Sequence, residues 1–284
     1  MRYNSCIIVA TLYVIATPIG NLEDITFRAV RLFGGVSLIA AEDTRTAKQL
    51  LGRYNLKTRV TSYHEHNKYQ KLNVILEHLR TEDVALISEA GMPGLSDPGF
   101  ELIAAAINRG INVVPVPGPS SIVTALAVSG LPTDHFIYLG FLPRRHGERK
   151  RLLQEVVDIS YTLVCFESPH RIPESLQDIL KVFGNRKVAV CRELTKVHEE
   201  VFRGKVSDAI LYFKQPKGEF TLVLEGNYGN RSQDVDEKIM GDLYNLYRQG
   251  LRAKESVSMI SEVSGISKRK LYECWLQMTK GERE

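Results

Sequence analysis

Residues able to do chemistry gather in short polar stretches, each following an apolar run. In FESPHR, residues 166–171, an acid, a histidine and an arginine fall within five positions as Glu167, His170 and Arg171. A carboxylate or imidazole there can orient or accept a proton, and a guanidinium can hold a phosphate through two parallel hydrogen bonds. Arg171 can equally cap or bridge the helix-like RIPESLQDIL that follows, so both roles stand open. AAEDTR sets Glu42 and Asp43 beside Arg45, and HEHN carries His64 and His66, for which a plain surface loop is an equal reading. The pattern suits proton transfer and anion holding without singling out a base.

A second kind of stretch is rich in special backbone. SEAGMPGLSDPG, residues 88–99, holds three glycines and two prolines between an apolar run and a helical pattern. Asp97 as N-cap and Pro98 as first helical residue would suffice for an ordinary link. The remainder points to a ligand approached closely by main chain. No G-x-G-x-x-G follows the first strand and no G-x-x-x-x-G-K-[ST] occurs anywhere, which argues against a pyrophosphate cradle. The four cysteines lie far apart without a C-x-x-C pair, so neither a disulfide framework nor a metal site is expected.

The elements that must position these loops alternate. Apolar runs at 12–16, 36–43, 58–63, 84–88 and 112–117 read as strands, with helical periodicity between them. That predicts an α/β fold whose first domain, 1–117, is a mostly parallel sheet. Strands at 136–142, 161–168, 187–194, 200–206 and 218–226, with fewer helices between, predict a second α/β domain over 118–228 with a mixed sheet. A polar loop at 227–234 precedes a helical tail, 233–284. Within it Val257, Ile260 and Val263 are assigned to one helix face, Gly265 to a turn, and Leu271, Trp275 and Met278 to a second helix. This helix-turn-helix pattern opens its second helix with Lys268, Arg269 and Lys270. A lid or dimerisation arm would give a similar pattern.

Composition is that of an ordinary globular chain: 284 residues, 44% apolar, 25% charged and a net charge of +4. The mild charge does not itself indicate nucleic acid, so basic surface must be local. PRRHGERKR, 143–151, is the densest basic run, with Arg144, Arg145 and Arg149; it is either a solvated helix start or a phosphate track. The apolar opening leads directly into TPIGNLED and reads as a buried strand rather than a leader peptide. No run reaches the ~20 apolar residues of a membrane span. A cytoplasmic protein is expected.

TPIGNLEDIT, AAEDTRTAKQLL, HEHN, SEAGMPGLSDPG, VPGPSS, FESPHR, CRELTK and GEFTLVLEG occur in an order that resembles the rRNA ribose-methylating branch of the tetrapyrrole (corrin/porphyrin) methylase family. The resemblance runs from about Leu12 to Gly226 and into the tail. It implies two α/β domains with S-adenosylmethionine between them, and methylation of a cytidine 2′-hydroxyl in the decoding region of small-subunit 16S rRNA. It also implies cofactor contacts at Pro18, Gly20, Asn21, Glu89, Ala90, Gly91, Pro93, Asp97, Ser120, Ser121, Phe166, Leu194 and Glu219. Glu89 and Met92 depart from the Ser-Asp-Ala-Gly-Thr-Pro expected there. Glu42, Asp43, Glu167, His170 and Arg171 are the catalytic candidates. Arg45, Arg144, Arg145, Arg149, Lys268, Arg269 and Lys270 are the expected RNA contacts. The expected partners are the small ribosomal subunit and a second copy of the chain, with no membrane. Two other functions fit less of the sequence: small-molecule methylation on the same fold, and non-catalytic nucleic-acid binding.

Overall fold

Among the described residues, ten strands and eleven α-helices form from the patterns above. The computed structural model describes residues 10–227 and 237–281. Cys6 and the rest of the apolar opening before Ala10, and the polar loop from 228 on, lie outside the described residues. Chain contacts divide the protein into two units, Met1–Asn227 and Tyr228–Glu284.

In the first unit, β1 (Thr11–Ile15), β2 (Leu38–Ala41), β3 (Arg59–Ser62), β4 (Val84–Ile87) and β5 (Asn112–Val116) make an all-parallel sheet in the order β3-β2-β4-β1-β5. β2 and β4 are buried along their whole length because helices cover both faces. Ile15, Ala85 and Ile87 pack with Phe33 of α1 (Phe27–Gly35) and with Leu50 and Leu51 of α2 (Thr44–Arg53). On the other face, Leu12, Val84 and Leu86 meet Ile75 of α3 (Lys68–His78) and Leu102 of α4 (Phe100–Asn108). The connection leaving β1 runs one way along the sheet and that leaving β4 runs the other. Their carboxyl ends therefore diverge and leave a crevice, the usual ligand position in such sheets.

The second sheet has the order β6-β7-β10-β8-β9: β6 (Phe136–Phe141), β7 (Thr162–Glu167), β8 (Lys187–Arg192), β9 (Glu200–Lys205) and β10 (Phe220–Leu224). Only β6 and β7 are parallel; β10 pairs antiparallel with both neighbours, as does β8 with β9. α6 (His146–Glu155), α7 (Ile172–Phe183) and α8 (Val206–Tyr212) cover one face. α5 (Ser121–Ser129) covers the other, where Ile122, Ala125 and Leu126 pack on Val164, Ala189 and Val223. Ile19, from the loop after β1, belongs to that same cluster, so the loop is anchored on the second sheet.

The second unit comprises α9 (Glu237–Arg248), α10 (Ala253–Ser264) and α11 (Lys268–Gly281) around Leu243, Val257, Ile266, Leu271 and Trp275. Gly265 takes φ +72°, the left-handed cap that glycine adopts freely, and ends α10. Val263 corrects the helix-face assignment: it is 91% exposed. Six residues advance a helix about 240°, which carries Val263 away from Val257; Ile266, past the turn, fills the core instead. Among the described residues no helix is long and apolar enough to cross a membrane.

Candidate active site

The loop after β4 is held to the loop after β1 by two backbone hydrogen bonds. Thr17 N–H donates to Gly91 O at 2.9 Å, and Gly91 N–H to Thr17 O at 3.0 Å. Gly91 takes φ +82°, which costs a side-chain-bearing residue roughly 1–2 kcal/mol. Ser88 Oγ donates to Gly91 O at 3.1 Å, and Ser96 Oγ bonds Tyr138 Oη of β6 at 2.6 Å, tying the same loop to the second sheet. These ties frame a cleft of about 530 Å3 beyond the carboxyl ends of β1 and β4. That size lies within the range of small-molecule sites.

Of the expected cofactor contacts, Pro18, Gly20, Glu89, Ala90, Gly91, Asp97, Ser120, Ser121, Phe166, Leu194 and Glu219 line this cleft. Pro93 is buried outside its wall, and Asn21 lines the adjoining cleft instead. Asn21 caps the short 3-10 turn Leu22–Asp24 by accepting from Glu23 N–H, while Thr26 caps α1. Met92, Leu95, Phe141 and Lys196 also line the cleft; Leu95 and Lys196 fall within quoted motifs but are not among the expected contacts, and Phe141 lies outside the motifs. The positive φ of two non-glycine residues, Glu193 (+50°) and Thr195 (+66°), marks the Lys196 loop only once the backbone is built.

Asp97 is not the cap of α4. That helix starts at Phe100 with Gly99 at its N-cap, leaving the Asp97 carboxyl to face Ser88 and the cleft. Burial pushes its pKa up to about 7, with further repulsion from Glu42 and Glu89. Burial also raises Glu42, even though Glu89 N–H donates to its carboxylate at 3.2 Å. α5 presents its first turn to the same cleft through Ser120, Ser121 and Ile122. Ser120 is the N-cap residue but makes no side-chain cap bond, so the amides of the turn remain available to an anion. Ile19, Met92, Leu95 and Phe166 supply apolar surface to the cleft. The cleft thus offers carboxylates to a cation, amides to a carboxylate and apolar walls to a ring.

The FESPHR cluster is drawn inward. Arg171 pairs with Glu167 Oε1 at 2.5 Å and donates to Ser168 Oγ at 2.9 Å and to Leu142 O at 3.0 Å. Ser175 of α7 donates to the other Glu167 oxygen at 2.5 Å. The guanidinium is thereby committed to the end of β7 and the residue after β6, while Ser175 ties α7 to the same carboxylate. Glu167 lines the cleft with both oxygens occupied, and His170 is exposed outside the cleft wall. Asp43 caps α2 and is bonded by Arg45, which holds its carboxyl down to about 2; Arg45 itself projects into solvent.

Arg149 corrects the expected RNA set. It is 1% exposed, and donates through Nε to Asp178 Oδ2 at 2.8 Å, with Nη2 2.7 Å from the same oxygen. The helical period turns it inward from PRRHGERKR while Arg144 and Arg145 stay exposed. In the second unit, Arg269 is exposed and pairs with Glu273, while Lys268 donates to Ser258 Oγ at 2.9 Å.

The tetrapyrrole (corrin/porphyrin) methylases match residues 11–210, which span the first sheet, every strand of the second but β10, and most of the cleft wall. The chain belongs to this family. Within it, a Halalkalibacterium halodurans protein named ribosomal RNA small subunit methyltransferase I is 43% identical over 94% of this chain and 95% of its own length. A Thermotoga maritima methylase of the same name is 48% identical over 98% of its own length, yet matches only 76% of this chain. A solved diphthine synthase superposes on 77% of this chain and 90% of its own with a TM-score of 0.63 at 12% identity, a likeness of fold alone. Membership makes the switch-point cleft the expected reaction site of this methylase.

Proposed function

We propose that the chain transfers a methyl group from S-adenosylmethionine to the 2′-hydroxyl of a cytidine in the decoding region of 16S rRNA, acting in the cytoplasm on the small ribosomal subunit. The observation that carries this reading is the cleft's mixed lining: Asp97 and Glu89, the first turn of α5 without a side-chain cap, glycine backbone and apolar side chains all face one cavity. A ligand with a sulfonium, an α-carboxylate and an aromatic base matches those three surfaces. When bound, S-adenosylmethionine supplies an electrophilic methyl group, so the protein's task is alignment and exclusion of water. Phe141, Phe166 and Leu95 exclude water from the cleft. Lys196 can donate to an oxygen at its edge: burial alone would lower its pKa, but hydrogen bonds to Glu193 and Glu219 outweigh this and raise it.

Exposed Arg45, Arg144 and Arg145 provide cations for the RNA backbone. The reading includes a homodimer, which light scattering at micromolar concentration tests. The test of the reaction is mass mapping of rRNA after small subunits lacking the modification are incubated with the protein and labelled S-adenosylmethionine. One new ribose methyl on 16S rRNA is expected. Cofactor binding with transfer only to a tetrapyrrole, or with no transfer, would overturn the RNA assignment.

A further inference from the structure

A second cleft, of about 680 Å3, adjoins the first and shares Gly20, Leu22 and Lys196 with it. Its character differs. Arg53 and Tyr54, at the end of α2, face the loop that carries Lys196, Val197 and His198. Arg53 and His198 make no ion pair among the described residues, and Val197 is 96% exposed at the lip. Tyr54 is half-buried, its hydroxyl donating to Leu22 O at 3.1 Å, so its ring is a fixed wall. Cations beside a fixed aromatic ring are the means by which proteins hold an unstacked nucleotide without reading a duplex.

The wall between the clefts is built with unusual care. A Cβ on Gly20 would overlap the Lys196 side chain and come within 2.8 Å of Thr195 Oγ1, so only glycine allows the two loops to meet. Thr195 Oγ1 is buried without a hydrogen-bond partner, and both Glu193 and Thr195 hold left-handed backbone. Lys196 Nζ sits between Glu193 Oε1 at 2.9 Å and Glu219 Oε2 at 3.0 Å, which fixes the ammonium at the shared wall. Backbone strain of this kind persists where the surrounding structure imposes it, and it concentrates at functional sites.

We infer that this second cleft is the acceptor subsite, receiving one unstacked ribonucleotide with its base against Tyr54, its phosphates at Arg53 and His198, and its ribose hydroxyl at Lys196. The inference rests on the RNA reading above and adds to it where the nucleotide sits. Lys196 then donates a hydrogen bond to the hydroxyl oxygen and directs it into the cofactor cleft, while Gly20 keeps the passage open.

The test compares wild-type protein with Arg53→Ala/His198→Ala and with Lys196→Met, using unmodified small ribosomal subunits and labelled S-adenosylmethionine, with melting curves as a check on folding. The double variant is expected to raise KM for subunits roughly 10-fold or more and to flatten the slope of log affinity against log salt by up to about 2, with cofactor affinity within about twofold. Lys196→Met is expected to lower kcat about 100-fold with little change in KM for subunits, a split that a merely structural role would not produce. Unchanged KM and salt slope in a folded double variant overturn the subsite. So does a tenfold loss of cofactor affinity in that variant, which would assign this cleft to the cofactor. Wild-type protein that methylates no rRNA overturns the RNA reading itself, whereas an active wild type with unaffected variants overturns the subsite alone.

Discussion

At the scale of single residues, Asp97 turns an electrostatic cost into a pH response. Its folded-state pKa of about 7 lies above the ordinary aspartate value of 3.8. The folded chain therefore binds a proton more tightly than the unfolded one, and this contribution to stability, complete below about pH 4, is lost as pH rises through 7. Asp97→Asn should remove that loss, so its melting temperature should gain on the wild type between about pH 5 and pH 8. A cationic ligand favours the carboxylate, so wild-type affinity for S-adenosylmethionine should rise from about pH 6 to pH 8 with proton release. Calorimetry in buffers of different ionisation enthalpy checks this, and a pH-independent affinity would remove Asp97 from the cation's side of the cleft. Gly91 is a second such position. A Cβ there would lie 3.6 Å from Ile19 Cγ2, ordinary contact, so the penalty for Gly91→Val comes from φ +82° and from a branched side chain entering the cleft. Cofactor affinity should fall at least tenfold by calorimetry; an unchanged value would mean that backbone at Gly91 does not approach the ligand.

At the scale of elements, α6 and α7 are locked by a buried ion pair. Arg149 and Asp178 are 1% and 2% exposed at their side chains, and His146 Nδ1 lies 2.8 Å from the same Asp178 oxygen. Removing the guanidinium leaves a buried carboxylate with a single polar neighbour of uncertain charge. Arg149→Ala should therefore cost roughly 3–5 kcal/mol in denaturant unfolding. Arg144→Ala/Arg145→Ala should leave stability within about 0.5 kcal/mol and weaken RNA binding at low salt. An equal stability loss in both variants would contradict the division drawn here between lock and surface. The loop from Ser88 to Gly99 is a comparable device: bonds to Thr17 and Tyr138 fasten it at two points, so it acts as a fixed wall of the cleft.

At the scale of the whole molecule, the two units have separate cores. The first holds both sheets and every residue of the two clefts. It ends firmly, with Asn227 N–H donating to Ile159 O at 2.6 Å. A chain ending at Asn227 should fold and bind S-adenosylmethionine with wild-type affinity, in keeping with a relative that matches only three quarters of this chain. Its activity on small subunits should fall if Lys268, Arg269 and Lys270 meet phosphates. Changing all three to Ala should then flatten the salt slope by roughly 2–3. An unmoved slope with altered oligomeric state, measured by light scattering, would make the second unit an assembly arm.

The ten strands were legible in the sequence because each is an apolar run bounded by turn-forming residues, and burial between helices demands such runs. The family resemblance of the ordered loop motifs likewise implied eleven of the residues that line the cleft. Three features depended on tertiary structure. Arg145 is the extended N-cap residue of α6 whereas Arg149 lies inside the helix against Asp178, so charge alone could not separate buried lock from surface cation. Asp97 reads locally as a helix cap, and only the packing of Gly99 against Leu86 and Gly94 starts α4 later and releases the carboxyl to the cleft. Lys196 ends the motif CRELTK, but nothing local assigns it a role. Its place at the shared wall exists because residues 176 positions apart, Gly20 and Lys196, meet where one lacks a side chain, and contact at that separation is a property of the folded chain alone.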